Sequence, residues 1–280
     1  MLFADVSLAR RIETAEASLS QEVGLVALRT GLAVDGFVEH IGGGVAVFAG
    51  AGSPVNKVIG VGFSAPPDTD QIATIERLFA ALAAQVQAEV STLADPRWHA
   101  VLGQRGYHIA GFEHVLGLNL ANLPDDVSPG SVTVSACVPD DARVWLDVVA
   151  TGFQHPDDVP AQAAGQDYPR DVIERTFESL SSADGFRRYL AFVDGNVAGG
   201  GSLRLCEGVA QLCGAATLPE YRRRGVQSAL LDARLRDARR LGCDLAVVTT
   251  APGSKSQQNA QRHGFALLYS RALHILSPIA

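Results

Sequence analysis

The chain has 280 residues, of which 47% are apolar and 19% are charged, and its formal net charge is −7. This length allows one large domain or two of ordinary size, and the apolar fraction is typical of a soluble globular protein with a sizeable core. The acidic balance argues against a general nucleic-acid-binding protein, which would need a broad basic face.

Membrane, secretion and metal signals are weak. No apolar run has the length of a membrane span, and early charges such as Asp5 and Arg10 argue against a signal peptide. The four cysteines are widely spaced and form no C-x-x-C or zinc pattern. We therefore expect a cytoplasmic protein with buried reduced thiols, no membrane partner and no metal site.

Residues 1–120 form the first predicted domain. Hydrophobic periodicity and turn residues predict a helix, several strands and two further helices before a final strand region. In chain order these elements fall at residues 5–30, 37–48, 57–63, 69–82, 87–92, 96–104 and 107–118.

Residues 121–130 contain two prolines and are the predicted linker to a second domain, residues 131–280. Helices are expected at about 140–151 and 172–180, with the irregular stretch 153–170 between them. A helix from the basic loop to Leu241 and a short helix that ends at Gly264 come later. The predicted strands begin at Val132 and continue at residues 188–194, 197–205, 209–218, 245–250 and 265–276.

The stretch from Leu218 to Leu231 carries the clearest chemical signal. A strand pattern stops at Pro219, three consecutive arginines and one glycine follow, and a helical pattern then begins. The first N–H groups of a helix have no intrahelical acceptor, and the helix dipole places partial positive charge there. The stretch predicts a cradle for an anion, specifically a diphosphate. A solvated helix start is the alternative.

The two halves end alike, which indicates an internal duplication. Setting Gly106 against Gly264 also aligns Thr92 with Thr250 and overlays the long helices. Where the second half has its basic loop, the first has two prolines, two aspartates and no glycine. Prolines donate no N–H bond and aspartates repel phosphate, so only the second half is expected to bind the anion. Chance similarity of two α/β tails is the alternative.

Residues 130–280 resemble the GNAT family of N-acetyltransferases. Asn259 and the pair Gly264-Phe265 resemble the helix and strand that follow the family's signature. That signature is Gln/Arg-x-x-Gly-x-Gly/Ala, and here it reads Arg222-Arg223-Arg224-Gly225-Val226-Gln227. Gln227 departs from the usual small residue. The resemblance implies an α/β (α+β) fold of tandem GNAT-like domains, each a mixed, mostly antiparallel twisted sheet flanked by helices, with the first domain degenerate.

The resemblance also implies acetyl-CoA as a co-substrate. The pantetheine arm would bond main-chain groups of Ala216, Thr217 and Leu218, and Asn259 lies on a helix that commonly contacts the cofactor. The basic loop and the start of its helix would hold the pyrophosphate, through Arg222, Arg223, Arg224, Gly225, Val226, Gln227 and Ser228.

The reaction implied is direct attack of an amine on the thioester, with the oxyanion held by a backbone N–H near Leu218. In many relatives a tyrosine acts as the general acid at the position where this chain has Ala260, so the catalytic residues stay unassigned. Ser256 and Tyr269 are weak substitutes for which structural roles are favoured. Cys213 is interpreted as a core thiol. His263 is interpreted as a helix-end residue.

The acceptor is expected under residues 153–170. This stretch contains acidic and aromatic residues that suit a cationic amine, namely His155, Asp157, Asp158, Asp167 and Tyr168. A polar surface loop explains them equally well. The acceptor is taken as a small-molecule or peptide amine, and a homodimer is possible. A CoA-binding regulatory module without catalysis, or transfer of another acyl group, is the alternative function.

Overall fold

A computed structural model describes residues 2–123, 131–155 and 168–278. Their α-helices are α1 (Val6–Arg29), α2 (Thr69–Ala81), α3 (Arg97–Gln104), α4 (Ala142–Gln154), α5 (Arg170–Ser181), α6 (Val226–Arg240) and α7 (Lys255–Arg262). Their strands are β1 (Phe37–Ile41), β2 (Gly44–Phe48), β3 (Lys57–Ile59), β4 (Val86–Ser91), β5 (His108–Asn119), β6 (Val132–Ala136), β7 (Phe186–Val193), β8 (Asn196–Cys206), β9 (Val209–Gln211), β10 (Ala215–Thr217), β11 (Leu245–Thr250) and β12 (Ala266–Leu276). None of the described helices combines the length and apolar character needed to cross a bilayer.

All the described strands belong to one twelve-stranded sheet. Its order is β1-β2-β3-β4-β12-β5-β11-β9-β8-β7-β6, and β10 pairs with β8 beside this path. The β3–β4 and β9–β11 pairs are parallel, and the remaining pairs are antiparallel. The expectation of a mixed, mostly antiparallel sheet with flanking helices is confirmed.

The two halves of the chain exchange their last strands in the middle of this sheet. β12, from the second half, lies between β4 and β5 of the first half. β5, from the first half, lies between β12 and β11. The sheet is therefore continuous between the two predicted domains. Residues 124–130 of the predicted linker lie outside the described residues, and the domain limits stay a prediction.

Helices cover both faces of the sheet. A Cβ on Gly200 of β8 would lie 2.9 Å from Val149 of α4, whereas one on the neighbouring Gly199 would lie 2.7 Å from Val226 of α6. Since successive residues of a strand face opposite sides, α4 and α6 lie on opposite faces. α5 contacts both α4 and α1, so these three helices share one face.

α1 joins the two halves on that face. Asp5 caps the helix by accepting a hydrogen bond from the N–H of Leu8 at 2.8 Å. Arg11 forms an ion pair with Asp244, and Glu22 lies 2.5 Å from the guanidinium of Arg204 on β8. A helix from the first half is thus tied to strands and loops of the second.

The predicted duplication has a structural counterpart. α3 and α7 occupy positions 158 apart, the same offset that separates Gly106 from Gly264, and both glycines have positive φ. β3 and β10 keep this offset as well. The single strand predicted over 209–218 is interrupted between Gln211 and Ala215, so that it forms two short strands, β9 and β10.

Candidate functional site

The break between β9 and β10 opens a gap in the sheet. β9 pairs with β11, and the N–H of Leu212 still donates to the Val247 carbonyl at 2.9 Å. Beyond this point β10 pairs only with β8, on its other side. β10 and the end of β11 therefore flank a gap whose strand edges have no strand partner in the described part of the chain.

The backbone of β10 is divided between β8 and the gap. The N–H of Leu218 donates to the Ala198 carbonyl at 3.0 Å, so that group is already engaged, and the oxyanion donor expected near Leu218 stays a prediction. Alternation along an antiparallel strand also directs the backbone of Ala216 toward β8. Ala215 and Thr217 direct their N–H and C=O groups into the gap. Of the three residues predicted for the pantetheine arm, Thr217 is the one whose backbone faces it.

Two threonine hydroxyls lie beside the gap, although the sequence predicted Thr217 only through its main chain and did not predict Thr250. Thr217 on β10 and Thr250 on β11 are 9% and 5% exposed, and neither Oγ1 has a hydrogen-bond partner among the described residues. A buried hydroxyl without a partner is costly, so both suit a polar ligand between the strands. The duplication offered one signal, since Ile59 occupies the place of Thr217 in the first half.

The basic loop leads from β10 to the start of α6. Arg223 and Gly225 both have positive φ, of 61° and 84°, with one residue between them. Left-handed residues of this kind are a component of anion nests, in which successive N–H groups turn toward one point. Gly225 is the N-cap of α6 and supplies no side chain to its first turn. In the described part of the chain, no acceptor meets the N–H groups of Val226, Gln227 and Ser228.

The three arginines of the loop differ in their contacts. Arg222 donates to the carbonyl of His155, at the end of α4. Arg224 lies 2.8 Å from Asp194, and its guanidinium stands over the Tyr221 ring at 5.7 Å. Arg223 is exposed and has no ion pair with a described residue. Two of the three predicted phosphate ligands thus already have protein contacts, although an exposed ion pair such as that of Arg224 is weak.

α7 presents the downstream part of the predicted site. Ser254 caps the helix by accepting from the N–H of Gln257 at 3.1 Å, and the Gln257 side chain accepts from the N–H of Gly253. Asn259 is half-buried, and its Oδ1 lies 3.5 Å from Arg262. The His263 Nδ1 lies 2.8 Å from the Asn259 carbonyl, which confirms its position at the helix end.

None of the residues considered from the sequence as a general acid or nucleophile is free to act in the gap. Ala260 is buried in the core, Ser256 is exposed on α7, and the Tyr269 hydroxyl donates to Glu13 at 2.7 Å. Cys213 lies at the edge of the gap, but burial raises the pKa of its thiol to about 12. The thiol is therefore protonated at neutral pH and is not a nucleophile.

The first half has the same architecture without the opening. Trp98 of α3, at the position of Ser256, is 1% exposed and packs so closely that a Cβ on Gly42 would lie 2.2 Å from its ring. At the start of α2, the Asp68 carboxylate accepts from the N–H groups of Asp70 and Gln71. The indole packs against the loops that hold Gly42 and Gly62, and the cap occupies two of the amides that an anion would need.

A buried ionic cluster between the halves is also missing from the predicted site. On the α1 face it brings together one residue each from α1, β3, β4, β5 and β12, namely Glu13, Lys57, Glu89, Glu113 and Arg271. These residues lie far apart in the chain, and each alone is compatible with a solvated surface. The exchange of β5 and β12 assembles them, and local sequence gives no signal for that exchange.

The acidic stretch predicted to cover the acceptor is described only at its ends. Asp157, Asp158 and Asp167 lie outside the described residues. His155 ends α4, with Nδ1 2.9 Å from the Thr151 carbonyl. Tyr168 is half-buried against the apolar cluster around Trp145. The expectation that this stretch selects a cationic amine stays a prediction.

Comparison with known proteins agrees with this geometry. Residues 154–265 match the family model described as the acetyltransferase (GNAT) family. No curated protein sequence matches the chain. A GCN5-related N-acetyltransferase from Kribbella flavida superimposes with a TM-score of 0.65 at 19% identity, covering 96% of both chains.

Two further solved structures are similar. A tandem GNAT protein from the clavulanic acid biosynthesis pathway has a TM-score of 0.60 at 17% identity, over 95% of this chain and 96% of that one. A GCN5-related N-acetyltransferase from Sphaerobacter thermophilus has a TM-score of 0.58 at 17% identity, over 76% of this chain and 68% of that one. The chain therefore has the fold of tandem GNAT proteins, and its residues 154–265 are similar to the GNAT acetyltransferase family.

Proposed function

We propose that the chain is an N-acetyltransferase that takes an acetyl group from acetyl-CoA and transfers it to a small-molecule or peptide amine. One observation carries this proposal. In the described residues, an open strand gap leads to a helix start with unused N–H groups in the second half, while Trp98 and Asp68 close the same place in the first. The second half is therefore suited to a long ligand that ends in a diphosphate.

The residues present fit such a ligand. The N–H groups of Val226 to Ser228 and the exposed Arg223 would hold the pyrophosphate. Ala215 and Thr217 would bond the pantetheine amides through their backbone, as a strand edge bonds a neighbouring strand. The hydroxyls of Thr217 and Thr250 would gain the partners that they lack.

Acetyl-CoA supplies the thioester that serves as acyl donor. The chain's contribution is to hold donor and amine together, which converts a bimolecular reaction into one within a complex. The protonated thiol of Cys213 argues against an acyl-enzyme at that residue, which supports direct attack by the amine. The four free cysteines suit a reducing compartment, so we place the activity in the cytoplasm.

The second candidate is a CoA-binding module without catalysis. The buried Ala260 favours it, because the position that usually carries the acid has no proton to give. Release of free thiol from acetyl-CoA across a panel of amines separates the two functions. CoA binding without thiol release supports the module, and a panel of acyl-CoAs identifies the group transferred.

A pair of glycine substitutions tests the cradle. Gly225 and Gly242 flank α6, with φ of 84° and 88°, and a Cβ at either would meet no atom within 4 Å. Gly225→Asp and Gly242→Asp therefore introduce similar backbone strain, of about 1–3 kcal/mol. Only Gly225→Asp adds a negative charge to the cradle, and we expect it to weaken acetyl-CoA binding by roughly tenfold or more.

Isothermal titration calorimetry measures this effect, and thermal unfolding checks that the two variants lose similar stability. Gly242→Asp is expected to keep the acetyl-CoA affinity of the natural chain. If Gly225→Asp bound acetyl-CoA as tightly as Gly242→Asp, the cradle would lie elsewhere. If the unaltered chain bound no acetyl-CoA at millimolar concentration, the proposed function would fail.

A further inference from the structure

The buried ionic cluster borders the second-half gap. Arg271 of β12 lies at its centre, with Nε 2.8 Å from Glu13. Its Nη1 lies 3.3 Å from the Thr249 hydroxyl and 3.7 Å from Glu113 Oε2. Thr249 is on β11, whose other edge flanks the gap, so Glu113 of β5 lies one strand away from the gap although it comes from the first half of the chain.

Glu113 is also the carboxylate of the cluster that a ligand can reach. Its side chain is 22% exposed, whereas those of Glu13 and Glu89 are 2% and 1% exposed. Lys57 bonds Glu89 at 2.6 Å, and Arg271 bonds Glu13, so the two buried cations each have a closer carboxylate than Glu113. Glu113 is therefore the carboxylate of the cluster whose closest ion pair is the longest, 3.7 Å to Arg271.

The cluster has an excess of negative charge. Three carboxylates face two cations, and Glu16 of α1 lies near enough to oppose a further negative charge. Two polar atoms inside it, Glu89 Oε2 and Arg271 Nη2, are buried without a hydrogen-bond partner in the described residues. Arg271 Nη2 is a donor and needs an acceptor, whereas Glu89 Oε2 and the weakly paired Glu113 carboxylate suit a cationic ligand with N–H donors.

We propose that Glu113 binds the ammonium group of the acceptor amine and removes its proton. This role rests on the proposed transferase function and adds to it that the first half, through the exchanged strand β5, completes the acceptor side of the second-half site. The Glu113 carboxylate takes one N–H proton, the electron pair of that bond stays on nitrogen, and the neutral amine is then the nucleophile. The proton passes to solvent from the exposed edge of the side chain.

The titration of Glu113 agrees with this role. Burial and the charge of Glu89 raise the pKa of the Glu113 carboxyl to about 7, against the opposing effects of Lys57 and Arg271. A base is most effective when its pKa lies near the working pH. Among the described residues, the other titratable groups that face this region are Glu13 and Glu16 of α1, Tyr168 before α5, and Tyr269 of β12.

Glu113→Gln tests the proposal, with Glu113→Asp as the conservative variant. Glu76→Gln is the control, because Glu76 pairs with Arg105 in the first half and lies outside the cluster. Benzylamine is largely protonated at neutral pH and aniline is not, so the two form a matched pair of probes. Glu113→Gln is expected to lower kcat/KM for benzylamine by roughly 100-fold or more and to affect aniline far less.

Two further readouts distinguish a base from a structural residue. The acid limb of the kcat/KM profile, near pH 7 in the natural chain, is expected to disappear in Glu113→Gln and to return in Glu113→Asp. Calorimetric binding of benzylammonium, without acetyl-CoA, is expected to weaken in Glu113→Gln by roughly tenfold. Acetyl-CoA affinity and thermal unfolding are expected to stay unchanged.

Several results would overturn the inference while leaving the cofactor site intact. Full benzylamine activity in Glu113→Gln is one, and equal losses with benzylamine and aniline are another. A third is acetyl-CoA binding by the natural chain without binding or acetylation of n-butylamine, benzylamine or spermidine. Absence of acetyl-CoA binding would instead overturn the proposed function, and this inference with it.

Discussion

Arg271 shows how a single buried charge depends on its neighbours. The side chain is 1% exposed, and its Nε–H bonds Glu13, which also accepts from the Tyr269 hydroxyl. Removing the guanidinium leaves Glu13 and Glu89 buried with less positive charge beside them. An uncompensated buried charge is more harmful to stability than a neutral apolar replacement of the whole pair.

We expect Arg271→Met to lower the free energy of unfolding by about 3–5 kcal/mol. Arg240→Met is the matched control, because Arg240 is 69% exposed and pairs with Asp237 on the surface of α6. It should change stability by about 0.5 kcal/mol or less. Urea unfolding followed by circular dichroism measures both, and equal effects of the two substitutions would show that the cluster is not a buried charge network.

Residue chemistry was predictable from sequence where it depends on local backbone. Gly225 and Pro219 mark the loop, and the structure has the expected helix start directly after them. Glu113 gave no such signal, because its partners Arg271 and Glu89 meet it only through strand exchange. The ligands of an assembled site depend on register across distant strands, and one sequence does not encode that register in any local pattern.

Comparison of α3 with α7 explains at the level of elements why the two halves differ. Both helices are eight residues long and both end before a glycine of positive φ. α3 places Trp98 where α7 has Ser256, so the first half fills with an indole the space that the second leaves open. Element limits were predictable to within a few residues, whereas the break that separates β9 from β10 was not, because both pieces have the same apolar pattern.

The exchanged strands predict how the halves behave when the chain is cut. A protease site placed within residues 124–130 should separate the chain into two fragments that stay together. β5 of the first fragment lies between β12 and β11 of the second, and β12 lies between β4 and β5, so separation would expose unpaired strand edges. Size-exclusion chromatography after cleavage should give one peak at the mass of the intact chain. Two independent folded monomers would contradict the strand exchange.

The continuous sheet gives the two halves different tasks in the whole molecule. The second half has the proposed cradle and the gap, and the first half, whose corresponding helix start is capped by Asp68, contributes α1, β3, β4 and β5 to the cluster. Under the proposed function, a duplication that lost one binding site is compatible with the retention of both copies, because the proposed site uses residues from each.

The number of acetyl-CoA sites per chain tests this account most directly. Calorimetric titration of the intact chain should give one site, and Gly225→Asp should weaken it, whereas Asp68→Asn, at the closed helix start of the first half, should leave both the stoichiometry and the affinity unchanged. A stoichiometry of two, or loss of binding in Asp68→Asn with Gly225→Asp unaffected, would contradict the assignment of the cradle to the second half.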